Sequence, residues 1–150
     1  LLMRLGLNLV FTGMYQVVDF PCYWSPNRIC NYKGDANTQF KVSHTRPVIT
    51  IKLANLPKDH GIYVQQCMAP DKGQPPTQCN PAETAKMWIS NVKGDQAQGA
   101  HTGNGKISLH VDAYFKKGDC IHTTCVLFFT NDHNASSDRS EDQAIPFKFS

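Results

Sequence analysis

The first ordered pattern along the chain is a strict alternation over residues 3–11. Met3, Leu5, Leu7, Leu9 and Phe11 fall on one side of an extended backbone, with Arg4, Gly6, Asn8 and Val10 on the other. Helical spacing would scatter the five large apolar groups around an axis, so the period of two predicts a strand. At about 1.5 to 3 kcal/mol per fully buried side chain, this face represents on the order of 10 kcal/mol of surface that must be covered. Two coverings are open: an extra strand on its own domain, or strand addition to the sheet of a neighbouring molecule. Residues 13–37 are rich in aromatics and turn formers. Val17 and Val18 favour a short strand, which Pro21 and Pro26 end, and a loop over 20–32 carries Trp24 at its tip.

From Phe40 onward seven strand signals follow at short, regular spacing. They cover 40–45, 48–53, 62–67, 87–90, a stretch from Ile107 expected to run on to Phe115, 125–130, and an alternation of Ile145, Phe147 and Phe149. Residues 61–67 make the clearest single strand: Ile62, Tyr63 and Val64 favour a pleated backbone, the Asp59-His60-Gly61 turn starts it, and Cys67 ends it. Residues 125–130 are apolar almost throughout, as in a strand buried on both faces. No segment shows helical period or capping. The expected fold is all-β, a seven-stranded immunoglobulin-like β-sandwich over 40–150 preceded by an extension over 1–39 that holds the extra strand and the aromatic loop.

Composition narrows the class. A chain of 150 residues can bury a real core, and 41% apolar residues argue against disorder. The net charge is +3 and the basic residues are scattered apart from Lys116-Lys117, which excludes a nucleic-acid footprint built on a basic face. The longest apolar runs fall short of a membrane-spanning helix. Arg4, Gly6 and Asn8 interrupt any leader-like core, so the start is expected to be mature sequence or a fragment whose leader is gone. The six cysteines fall as close neighbours, Cys22 and Cys30, Cys67 and Cys79, Cys120 and Cys125. Their spacings match no zinc pattern, and an even count points to disulfides formed in an oxidising compartment, hence a secreted or cell-surface protein. Six cysteines admit fifteen pairings.

Three strings, Gln66-Cys67, Gln78-Cys79-Asn80-Pro81-Ala82 and Asp119-Cys120-Ile121-His122-Thr123-Thr124-Cys125, resemble the neocarzinostatin family. These are secreted bacterial apoproteins with a seven-stranded immunoglobulin-like fold that hold an enediyne chromophore in a cleft. The resemblance covers roughly residues 40–150 and implies the pairings Cys67 with Cys79 and Cys120 with Cys125. It also implies an apolar ligand cleft, placed here near Met87, Trp88, Tyr114 and Phe115. Two departures stand out: residues 112–118 form a short connection where the family has an aromatic ribbon, and the loop between Cys67 and Cys79 has no aromatic residue. The segment around Asp132-His133 and Asp138-Arg139-Ser140 resembles strings found in secreted bacterial surface proteins of uncharacterised role.

Candidate chemistry is sparse. Asp132, His133, Asp138, Glu141 and Asp142 gather between the last two strands, and oxygen ligands at that density suit Ca²⁺. The spacing is not an EF-hand, however, and Arg139 inside the cluster points to internal ion pairing and a hydrogen-bonded clamp; Asp132, Asp138 and Asp142 are the weak metal candidates. Six histidines offer bases, yet no serine sits in a nucleophile elbow, so no catalytic residues and no cofactor are expected. Asn134-Ala135-Ser136 is a formal N-glycosylation sequon in a predicted surface loop. The expected function is a non-catalytic extracellular assembly subunit of a filament, surface layer or larger complex, self-associating or joining another subunit through Met3, Leu5, Leu7, Leu9, Phe11 and Trp24. The alternatives are a carrier of a small apolar ligand and a cell-surface recognition module.

Overall fold

The computed structural model describes residues 8–12, 15–19, 40–44, 47–53, 56–103, 105–139 and 142–149. Met3, Leu5, Leu7, Cys22, Trp24, Cys30 and Glu141, with the loop expected over 20–32, lie outside the described residues. The strands are β1 (Asn8–Thr12), β2 (Tyr15–Asp19), β3 (Phe40–Val42), β4 (Val48–Leu53), β5 (Ile62–Met68) and β6 (Lys86–Ile89). They continue as β7 (Gly105–His110), β8 (Tyr114–Phe115), β9 (Gly118–Asp119), β10 (Cys125–Asn131) and β11 (Gln143–Phe149). Among the described residues the only helical turns are the single 3-10 turns Glu83–Ala85 and Gln96–Gln98, so the chain is all-β.

One sheet has the order β1-β2-β4-β7 and a second the order β3-β11-β10-β5-β6. Alternation decides which side chains meet between them. From the first sheet come Ile49, Ile51, Leu53, Ile107 and Leu109; from the second come Ile62, Val64, Leu127, Phe129, Ile145 and Phe147, all in one buried cluster. The seven strands expected from residue 40 onward correspond to β3, β4, β5, β6, β7, β10 and β11. The N-terminal segment is a hairpin in the chain's own sheet: β1 pairs antiparallel with β2, Leu9 opposite Val18 and Phe11 opposite Gln16, and β2 runs parallel to β4.

Two expectations are corrected. The fifth strand does not run on to Phe115, because β7 ends at His110 and the next backbone groups find other partners. Val111 N–H donates to the Pro47 carbonyl, while Asp112 gives its N–H to Gln66 Oε1 and accepts from Gln66 Nε2 at its carbonyl. Residues 112–118 are not a plain connection either, since β8 and β9 form a small hairpin. Lys117 takes the left-handed turn at φ 63°, and Gly118 leaves room for the Phe115 ring, which a Cβ there would meet at 2.2 Å.

Candidate functional site

The five-stranded sheet turns its inner face to the core, and its outer face carries a groove. Register places the outer side chains in rows across the strands. Trp88 of β6 lies opposite Tyr63 of β5, which lies opposite Thr130 of β10. The next row is Lys86, Gln65, Phe128 and Ala144, and the one after it Cys67, Val126 and Pro146. A cavity of about 680 Å³ lies over the β6 side of these rows, walled by Pro75, Pro76 and the Cys67–Cys79 disulfide. A volume of this size lies within the roughly 300–1,000 Å³ usual for small-molecule sites.

A buried carboxylate fixes one end. Asp132, just past β10, is fully buried, and its Oδ2 accepts from the Trp88 indole Nε1 at 3.0 Å and from the Gly61 N–H at 2.8 Å. Its Oδ1 accepts from the Asn134 N–H at 3.0 Å. The indole is therefore held by its polar edge rather than left to rotate, and His133 packs against it at 5.2 Å between ring centroids, edge to face. The Tyr63 hydroxyl shares a hydrogen bond with His133 Nδ1 at 2.6 Å. Burial pushes the Tyr63 hydroxyl above its ordinary pKa; a hydrogen bond with the His133 backbone pulls it back, and the nearby Asp132 carboxylate raises it further. Behind this cluster His60, also buried, sits between Asn131 Oδ1 at 2.9 Å and Asp59 Oδ1 at 2.7 Å.

The opposite wall is held by a second polar knot. Gln66 occupies an inward position of β5 and is fully buried. Its Oε1 accepts from Asn80 Nδ2 at 2.8 Å and Asp112 N–H at 3.0 Å. Asn80 Oδ1 in turn accepts the Ala82 N–H at 3.0 Å, an Asx turn that explains the Asn80-Pro81-Ala82 string. With the Cys67–Cys79 bond, these contacts tether the loop 68–79 to β5 and hold Pro75 and Pro76 over the sheet. The second disulfide, Cys120–Cys125, closes the turn before β10. There Asp119 accepts the His122 and Ile121 N–H groups, and its side chain meets the His122 imidazole at 2.9 Å. The His122 N–H bond above all holds the Asp119 carboxyl below its usual range.

The residues expected to form a ligand cleft divide between two places. Trp88 and Met87 line the groove, although Met87 also packs against the core. Tyr114 is 58% exposed on the β8–β9 hairpin, and Phe115 packs on the core. That hairpin reaches β5 at Met68, whose sulfur accepts the Asp119 N–H at 3.3 Å, at the opposite end of the strand from Tyr63 and Trp88. The described acidic residues do not converge. Asp142 accepts from Thr130 Oγ1 at 2.8 Å and pairs with Arg139 at 2.7 Å, and the Asp138 carbonyl accepts from Asn131 Nδ2 at 3.1 Å. Among the described residues no three His, Cys, Asp or Glu side chains are placed to hold a metal ion, and no helix is long and apolar enough to cross a membrane. The sequence reading missed Gln66, Asn80 and the Trp88 tie to Asp132. A polar side chain at an inward position of a clear alternation, as at Gln66 after Ile62 and Val64, was the available signal.

Compared with known proteins, the chain matches no family model, no curated protein and no solved structure.

Proposed function

We propose that the protein is a non-catalytic, extracellular binding module that holds a ligand in the groove over β5, β6 and β10. The observation that carries this reading is Trp88, an indole fixed by a buried carboxylate at the edge of a cavity of about 680 Å³. A large apolar side chain locked in position loses little entropy when a ligand stacks on it, which is how aromatic anchors work. Two disulfides support an oxidising compartment and hence secretion or display at a cell surface. The immunoglobulin-like reading has the support of the order β3-β11-β10-β5-β6 set against β4 and β7, and the neocarzinostatin-like reading that of the two cysteine pairings it implied. The chain has two tryptophans, so a Trp24→Phe background isolates the Trp88 signal. An amphiphilic fluorescent probe with an apolar ring system, anilinonaphthalene sulfonate, is expected to saturate and quench Trp88, and Trp88→Ala to abolish saturable binding. Saturation that survives Trp88→Ala would move the site elsewhere.

A second reading, assembly through the N-terminal strand, is favoured by the position of β1 at the edge of its sheet among the described residues, where another strand can add. It predicts that removing residues 1–12 lowers the molecular mass in solution. An unchanged mass removes it.

A further inference from the structure

The cavity beside Trp88 has a neighbour on the same face. A second cavity of about 570 Å³ lies over β10 and β11, against Val126, Ala144 and Pro146. The two share Pro75, Phe128 and Arg139 as lining residues, so they are two lobes of one trough that meet over Phe128. The trough crosses the strands rather than following them: the row Lys86, Gln65, Phe128, Ala144 steps from β6 through β5 and β10 to β11. Three strand spacings of about 4.8 Å make this roughly 14 Å between the outer strands. The first lobe alone suits a drug-sized molecule; the two together suit something longer.

Charge narrows the occupant further. Among the described residues, the lysine, arginine and acidic side chains that line the two lobes are Lys72, Lys86, Arg139, Asp71, Glu83 and Asp142, three of each sign. Lys86 is paired with Glu83 at 3.2 Å and Arg139 with Asp142 at 2.7 Å. A trough with this balance offers an ionic ligand no net attraction. Its outer rows instead set apolar surface at Trp88 and Pro146, on either side of the buried Phe128, beside the amide of Gln65 and the hydroxyl of Thr130. An extended peptide gains most of its affinity by pairing along a strand edge, and a path across the face of a sheet offers it no such ladder. A β-linked pyranose chain has the complementary pattern, with apolar C–H faces to stack on aromatic rings and hydroxyls around its rim to meet amides.

Resting on the binding-module reading, we propose that the ligand is an uncharged, linear β-linked glycan lying across the outer face from Trp88 to Pro146. The test is a calorimetric titration of the whole protein with β-1,4-linked glucose and N-acetylglucosamine oligomers, from the disaccharide to the hexasaccharide. Affinity for one series is expected to rise about tenfold or more with length, equivalent to about 1.4 kcal/mol. Ala144→Trp, which fills the second lobe, should bring the hexasaccharide down to the affinity of the disaccharide. Lys72→Trp at the exposed rim of the same lobe should do the same if the first variant does not fold. A flat ladder in which short oligomers still bind would overturn the two-lobe span. Anilinonaphthalene sulfonate or a proline-rich peptide binding at Trp88 with no glycan binding would overturn the ligand class while leaving a groove that binds. Failure of every probe would remove the binding-module reading itself.

Discussion

Gly61 stands where three groups converge. A Cβ on it would lie 2.6 Å from the Ile89 carbonyl oxygen and 2.7 Å from both Asp132 Oδ2 and the Ser90 side chain. Its N–H also donates to Asp132, so the absence of a side chain lets β5 start against the same carboxylate that holds Trp88. Gly61→Ala is therefore expected to destabilise by about 1–3 kcal/mol in urea unfolding, in the range of an overpacked core. It should also shift the Trp88 emission in the folded protein, because the acceptor of its indole must move. A stability change without the spectral change would show that Gly61 and the indole are independent. At this scale the sequence was partly readable. The Asp59-His60-Gly61 turn was visible as the start of a strand, but the reason for the glycine lies 71 residues away, at Asp132. Pairings at such range leave no trace in local pattern.

Strands were the most legible elements, since burial on one face forces a period of two and a few apolar residues reveal it. β10 shows where that rule reaches its limit. Its apolar run looked like a strand buried on both sides, and both faces are buried, but by different partners. Leu127 and Phe129 meet the core, whereas Val126 and Phe128 pack with Cys67, Cys79 and Ala144 on the groove side. The end of β7 was not legible, because a glutamine from β5 takes the ladder positions at Asp112. The turn between β9 and β10 yields a pH prediction. Asp119 has its pKa lowered by folding, so its contribution to stability is present above the unfolded carboxylate value of about 4 and is lost as pH falls through the folded value. Protection of the Ile121 and His122 amides, taken relative to their intrinsic exchange rates, should fall on acidification through that range, and Asp119→Asn should abolish the dependence. An identical profile in the variant would place the titration on another group.

For the molecule as a whole, two sheets enclose one core, and the outer face of the five-stranded sheet is shaped by a loop tied down at both ends. The tether is covalent and polar together, Cys67–Cys79 beside the Gln66 and Asn80 knot. Replacing both cysteines by alanine is expected to cost about 3 kcal/mol on the chain-entropy account of a loop this long. Ligand affinity should fall by more than the stability loss alone explains, since the walls at Pro75 and Pro76 lose their anchor. Equal affinity in the folded double variant would show that the loop plays no part in binding. The most direct test of the binding groove needs no knowledge of the natural ligand: a fragment library screened by amide chemical-shift mapping on the isotope-labelled protein. The groove account predicts hits that cluster at Tyr63, Gln65, Trp88 and Phe128. Hits that gather elsewhere, or a library that leaves those four amides unmoved, would contradict it.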